Sequence, residues 1–116
     1  MSSVNSITLV GRVGQDPEMK YTTSGMAVTN FRLATNRLGK NNETDWHGVT
    51  CWKDLAERVN EYVKKGSLVC VQGSVQYSKW EGSNGEKKER TIIAANNVTF
   101  LDTKKKKDSD DDLPFE

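Results

Sequence analysis

The chain has 116 residues, which is enough for one compact domain with tails and too short for two ordinary domains. Its longest apolar runs are four residues, far below the roughly 18 needed to cross a bilayer, and no basic start precedes an apolar stretch, so we expect neither a membrane span nor a cleaved signal. The net charge is only +1, but residues 1–107 carry 17 basic against 11 acidic residues, whereas residues 108–116 carry five acids and no base. This division predicts a basic domain followed by an acidic interaction tail.

The first half of the chain alternates apolar and polar residues with a period of two, which is the pattern of β-strands. The alternation predicts strands over residues 7–12, 27–34 and 45–52, with turn-forming residues at 15–17 and 23–25 between the first two. In the third strand, Trp46 and Trp52 fall on one face and His47 falls on the other.

A helix is predicted over residues 55–63, because apolar side chains recur there at helical spacing. Asp54 and Glu57 have the spacing of a capping box at its start. Gly66 is a suitable residue just beyond its end. The helix therefore follows the third strand almost directly.

Two more strands are predicted over residues 68–80 and 90–101. The tip between them contains Asn84-Gly85, which is typical of a β-hairpin. The second arm of this hairpin is basic, since it carries Lys87, Lys88 and Arg90.

The predicted order is three strands, one helix and two strands within residues 1–103. It matches an all-β fold, the five-stranded Greek-key barrel of the oligonucleotide/oligosaccharide-binding (OB) kind, with one helix between strands 3 and 4. A half-open sandwich is the structural alternative. The alternation assigns to the core either Val28 or Phe31, together with Val49, Val69, Val71 and Val98. Residues 104–116 show no periodicity and are too polar to bury an apolar face, so they predict a disordered tail.

The sequence offers few residues for catalysis or metal binding. His47 is the only histidine, and Cys51 and Cys70 lie in neither a Cys-x-x-Cys pair nor a Cys/His cluster, so four zinc ligands are not available. The glycine-containing segment 11–14 lacks the Lys-Ser/Thr of a phosphate loop. We therefore expect no enzyme activity, no metal, no cofactor, two buried thiols and a cytoplasmic location.

The three tryptophans point to another kind of chemistry. Trp46 and Trp52 are six residues apart, so they project from the same face of a strand. Trp52 adjoins Lys53, and Trp80 adjoins Lys79. Bases stack on exposed indole rings while nearby cations neutralise phosphates, so this pattern favours binding of single-stranded nucleic acid. The alternative is that the tryptophans belong to the core.

Five segments and the end of the chain resemble one known family. The segments are residues 7–18, 31–36, 45–47, 62–67 and 72–74, and the end is the acidic tip Asp110, Asp111, Asp112, Leu113, Pro114 and Phe115. Together they closely resemble the bacterial single-stranded DNA-binding protein (SSB) family. The resemblance implies an OB barrel, usually a homotetramer, that binds single-stranded DNA without sequence preference during replication, recombination and repair. It also implies that the tip recruits replication and repair proteins.

The resemblance further implies roles for individual residues. Stacking on bases is expected for Trp46 and Trp80, and for Trp52, which stands where the family usually has a phenylalanine. Contacts with phosphates are expected for Arg12, Lys20, Lys53, Lys64, Lys65 and Lys79, to which the basic hairpin adds Lys87, Lys88 and Arg90. By the same resemblance, His47 and Tyr62 match positions of subunit contacts or packing rather than of DNA.

The chain departs from the family at two places. The loop over residues 37–44 lacks an extra stacking tryptophan that some members carry. Seven residues separate Asp102 from Asp110, where members commonly have a long linker, and Glu116 follows the terminal phenylalanine of the tip. Three other functions stay open, namely an RNA chaperone of barrel fold, an adaptor subunit that binds DNA poorly, and a barrel-fold nuclease. The sequence also does not decide between a tetramer and a dimer.

Overall fold

A computed structural model describes residues 2–39 and 43–101 of the chain. The elements within these ranges are β1 (Ile7–Val13), β2 (Glu18–Tyr21), β3 (Ala27–Asn36), β4 (Thr44–Trp52), α1 (Lys53–Tyr62), β5 (Leu68–Glu81) and β6 (Lys87–Phe100). No helix in these ranges combines the length and the apolar character needed to cross a membrane. The predicted tail over 104–116, with its acidic tip, lies outside the described residues.

The strands form one sheet that closes on itself. Their order is β1-β5-β6-β4-β3-β2, and an additional pairing of β1 with β3 completes the ring. Five strands therefore make the barrel, and β2 extends it as a short strand paired to β3. The predicted OB barrel is confirmed, with its helix between the third and fourth barrel strands, β4 and β5.

The sequence did not predict β2. This strand has only four residues, and Met19 alone in it is part of the packing against the core. A short, mostly exposed strand carries almost no alternation of its own, and its pairing with β3 holds it in place.

Two glycines allow the barrel to close. A Cβ atom on Gly11 in β1 would collide with the backbone carbonyl of Ala34 in β3. A Cβ atom on Gly73 in β5 would collide with the carbonyl of Ala94, next to an irregularity in the β5–β6 register. At both positions neighbouring backbones approach too closely for any side chain.

The core follows the predicted alternation. Phe31 and Leu33 of β3 and Val49 and Cys51 of β4 are all buried inside the barrel, as are the predicted Val69 and Val71 of β5. The helix closes one end by burying Ala56 and Val59, and Val63, the residue directly after the helix, is buried beside them. The buried hydroxyl of Thr29 donates a hydrogen bond of 2.7 Å to the carbonyl of Ala56, which ties the helix to β3.

Two local predictions are wrong. The residue that caps the helix start is Trp52, which makes no side-chain capping bond, and Asp54 lies within the first turn. The chain passes straight from β4 into the helix through Lys53, which has φ of 61°, so no residue is left to form a separate cap. Cys70 is half-buried rather than buried, because its side chain takes the outward parity of β5.

Candidate nucleic-acid interface

The outward side chains of five neighbouring strands, β2, β3, β4, β6 and β5, form one continuous surface, which we call the tryptophan face. On β3 and β4 the register places Ala34 opposite Trp46 and Val28 opposite Trp52. On β5 and β6 it places Trp80 opposite Lys88. Because β4 pairs with β6, the two strand pairs share this outer surface. Its groove-forming members are Asn30, Arg32, Trp46, Gly48, Thr50, Arg90 and Ile92.

A groove of about 420 Å³ runs over the middle of the tryptophan face. Its floor comes from β3, β4 and β6, and one wall is the loop between β1 and β2, which contributes Gln15, Asp16 and the first residue of β2, Glu18. The groove therefore combines one exposed aromatic ring, that of Trp46, with two arginines and two carboxylates.

Trp46 is the aromatic wall of the groove. Its side chain is 53% exposed, although it lies in a central strand. The guanidinium carbon of Arg32 lies over the ring, 5.8 Å from its centroid, within the range of a cation–π contact. On the β1 side the ring packs so closely on Gly14 that a Cβ atom there would collide with it. The ring is thus held in place while about half of it stays open.

Trp80 has a similar environment on the β5–β6 arm, by which we mean the hairpin formed by residues 77–91. Its side chain is 43% exposed, and the guanidinium carbon of Arg90 lies 5.6 Å from its ring centroid. The arm ends in a tight turn in which the N–H of Gly85 donates to the carbonyl of Gly82 at 3.0 Å. Trp52, by contrast, is half-buried. It shares one row of the tryptophan face with Val28 and Lys20.

The arm divides the predicted basic residues between its two faces. Lys88 and Arg90 take the same parity as Trp80 and belong to the tryptophan face. Lys79 and Lys87 take the opposite parity, where they stand across from Glu89 and Glu81. The structure therefore brings two of these four cations together with an exposed ring.

Four more predicted cations lie away from the groove. Arg12 donates a hydrogen bond of 3.0 Å to the carbonyl of Gly66, in the turn after the helix. In that turn Lys64 borders a separate depression beside Asp16, and the backbone N–H of Lys65 donates to the Asp16 carboxylate at 2.8 Å. Lys53 is exposed at the start of α1.

An ion cluster orders the start of β4, next to Trp46. The Arg37 guanidinium contacts Asp45 at 3.1 Å and Glu43 at 2.9 Å. Hydrogen bonding to Arg37 lowers the pKa of Asp45, and the same bond raises the pKa of Arg37. This cluster joins the two ends of the β3–β4 loop.

Sequence reasoning did not assign a binding role to Arg32. The available signal was its outward parity on β3, since it alternates with the buried Phe31 and Leu33. His47 and Tyr62 lie off the tryptophan face. The Nε2 atom of His47 is 2.9 Å from the hydroxyl of Thr35, and the Tyr62 ring lies 5.7 Å from the Phe100 ring. Within the ranges 2–39 and 43–101, no group of three or more His, Cys, Asp or Glu residues is placed to hold a metal ion.

Comparison with known proteins gives a consistent result. The profile of the single-strand binding protein family matches residues 4–101. Single-stranded DNA-binding protein 1 of Synechocystis sp. is 46% identical over 106 residues, which cover 89% of this chain and 88% of that protein. The single-stranded DNA-binding protein of Xanthomonas campestris pv. campestris is 41% identical over 104 residues, which cover 84% of this chain and 60% of that protein. The chain thus spans less than two thirds of the length of the second relative.

Among solved structures, one described as a Plasmodium falciparum SSB complex with ssDNA is similar, with a TM-score of 0.80 and 35% sequence identity. The similarity covers 88% of this chain and 98% of the other.

Proposed function

This chain belongs to the single-strand binding protein family, and on that premise we propose that it binds single-stranded DNA without sequence preference through the tryptophan face. The observation that carries the proposal is the pairing of two partly exposed tryptophans with arginines on one continuous surface, Trp46 with Arg32 and Trp80 with Arg90. All four bases have flat aromatic rings that can stack on an exposed indole. Binding by stacking therefore does not depend on the base sequence.

Individual residues have distinct parts in this proposal. Trp46, Trp80 and the half-buried Trp52 stack on bases. The cations that share their surface, Lys20, Arg32, Lys88 and Arg90, neutralise phosphates close to the rings. The remaining predicted cations, Arg12, Lys53, Lys64, Lys65, Lys79 and Lys87, contribute to the general positive field or to a longer path around the barrel. Binding involves no catalytic step.

Titration with oligo-dT tests the proposal directly. Stacking quenches the fluorescence of exposed tryptophans, so we expect quenching that saturates with oligo-dT and is reversed by salt. Competition with oligo-U of equal length distinguishes DNA from RNA binding, and incubation of labelled DNA with magnesium or calcium tests for nuclease products. Absence of quenching at low salt would reject DNA binding by this surface.

A second proposal concerns self-association. Beside Arg12, outward residues of β1, β5 and β6 form an uncharged patch, the neutral face, made of Thr8, Val10, Cys70, Gln72, Asn97 and Thr99. Val10 at its centre is 52% exposed, which is high for a valine in a strand. We expect this face to support the homotetramer that the family resemblance implies. Light scattering of the wild type and of Val10→Asp tests this expectation. An unpaired charge buried at the centre of an interface weakens association, so the variant should form particles of lower molecular mass than the wild type.

The acidic tip from Asp110 to Phe115 is proposed to recruit replication and repair proteins in the cytoplasm. Deletion of residues 108–116 should abolish capture of such partners. It should also tighten DNA binding modestly at low salt, since five acids near a basic groove compete with DNA, and the gain should fade as the screening length falls to about 8 Å. Full partner capture by Phe115→Ala would contradict the role of the tip, and equal DNA affinity with and without the tail at low salt would contradict the competition.

A further inference from the structure

A glycine occupies the centre of β4 although the backbone does not require one. Gly48 pairs with Arg32 on β3, and the next pair is Phe31 with Val49. The strands are therefore paired regularly at Gly48, without a bulge. Its φ is not positive, and a Cβ atom built on it would meet nothing within 4 Å. Glycine is unfavourable inside strands unless a bulge, a sharp bend or a closely approaching group calls for it.

Crowding by a neighbouring strand does not account for Gly48 either. Gly11 and Gly73 show what such crowding looks like, because a Cβ atom on either would collide with a backbone carbonyl. Above Gly48 there is open space instead. The remaining reason for a glycine here is a group from outside the protein that approaches the strand closely.

The open space above Gly48 has the shape of a slot in the groove. Trp46 and Thr50 flank it on the same face of β4, Arg32 lies beside it on β3, and Ile92 borders it on β6. An indole ring on one side and an aliphatic side chain on another suit a flat, partly apolar group. A Cβ atom at position 48 would project into this slot without touching the protein.

The charges around the slot give a phosphate no advantage over a base. The carboxylates of Asp16 and Glu18 line the same groove as the guanidinium groups of Arg32 and Arg90, so the four charges balance. Glu18 stands opposite Asn30 on the neighbouring strand, and the Asn30 carbonyl oxygen accepts a hydrogen bond of 2.8 Å from Thr50. This bond orients the Asn30 amide so that its N–H₂ group is available to a base edge, and the Glu18 carboxylate can accept from amino or imino groups.

We propose that the slot over Gly48 seats one nucleobase, stacked on Trp46 with its edge toward Asn30 and Glu18. The inference rests on the proposed binding of single-stranded DNA, of which it is one defined subsite. The glycine provides the depth of this subsite, because any side chain would take the place of the base.

A size series at position 48 tests the proposal in the full-length protein. Gly48→Val should keep or raise the thermal unfolding midpoint, since valine favours strands and has free space here. It should weaken binding of oligo-dT by about tenfold, within the range expected for loss of one stacked base. Gly48→Ala should give a smaller loss in the same direction. A lower unfolding midpoint for both variants would mean that the fold needs the glycine, and would overturn the proposal.

Abasic oligonucleotides provide the matched control on the DNA side. In a series of short oligo-dT molecules, each thymine in turn is replaced by an abasic residue. The wild type should bind with lower affinity when the replaced thymine is the one seated in the slot. With Gly48→Val the same abasic replacement should produce no further loss, because the two changes remove one contact. Additive losses at every position, or wild-type affinity for Gly48→Val, would refute the slot while leaving DNA binding intact. A wild type that fails to bind oligo-dT would refute both.

Discussion

Trp80 and Tyr77 offer a controlled test of which face of the β5–β6 arm binds DNA. Both are exposed aromatic residues of β5, with exposed fractions of 43% and 68%. They are three residues apart, so they project from opposite faces of the arm. Trp80 shares its face with Lys88 and Arg90, whereas Tyr77 stands across from Thr91 on the other face. We expect Trp80→Ala to weaken binding of oligo-dT and Tyr77→Ala to leave it nearly unchanged.

The size of the effect follows from the exposed area of the ring. A large aromatic side chain presents about 200 Å² in total, so the exposed part of Trp80 corresponds to about 80 Å². Covering that area with a base removes it from water and stabilises the complex by about 2 kcal/mol. This value lies within the range of about 1–3 kcal/mol found for stacking of one base, and it corresponds to a loss of about 30-fold in affinity.

The two variants should be compared by fluorescence anisotropy of a labelled oligo-dT at fixed salt, because the change in tryptophan number makes intrinsic fluorescence unequal between them. Thermal unfolding of each variant serves as the control for folding. Neither side chain belongs to the core, so neither midpoint should change much. Equal losses of affinity for the two variants, or a larger loss for Tyr77→Ala, would show that the tryptophan face is not the DNA-binding surface of the arm.

Three further predictions use other parts of the structure. Lys88→Ala should make the salt dependence of DNA binding shallower by about 0.7 in log–log slope, whereas Lys87→Ala on the opposite face should change the slope less; equal changes of slope for the two variants would contradict this division. Gly73→Ala should destabilise the protein by about 1–3 kcal/mol in urea denaturation because its Cβ collides with backbone, and unchanged stability would disprove that closure. Burial raises the pKa of Cys51 to about 12, so its neutral thiol contributes stability below pH 9.0 that is lost as the pH rises toward about 12. A thiol reagent at neutral pH should therefore modify only Cys70 in the native protein, whereas in denaturant it should modify both cysteines. Rapid labelling of two thiols in the native protein would contradict the buried position of Cys51.

The inward and outward parities of the main strands could be predicted from the sequence. Val49 is buried as its alternation indicated, Phe31 rather than Val28 is the buried residue of the two alternatives on β3, and Trp46 lies on the outer surface. The alternation of one strand is a local property, because successive side chains point to opposite sides whatever the strand pairs with. The same reasoning placed Trp46 and Trp52 on a common face before any neighbour was known.

The helix start and the short strand β2 could not be predicted with the same success. Asp54 had the spacing of a cap, but β4 runs directly into the helix and leaves Trp52 in that position. The spacing rule assumes a free loop before the helix, and the barrel removes that loop. The exposed β2 is defined by its hydrogen bonds to β3, which no local pattern records.

Composition and alternation were enough to indicate a small basic β-barrel with outward tryptophans, because both are properties of single segments. Which outward residues meet one another depended on the folded barrel. Strand pairing placed Arg32 over Trp46, set Lys88 opposite Trp80, and left an open slot above Gly48. These relations depend on the register between strands, which the pattern within one strand does not record. In a closed barrel that register must bring the core side chains of all strands inward, and Gly11 and Gly73 allow the close backbone approach that this requires.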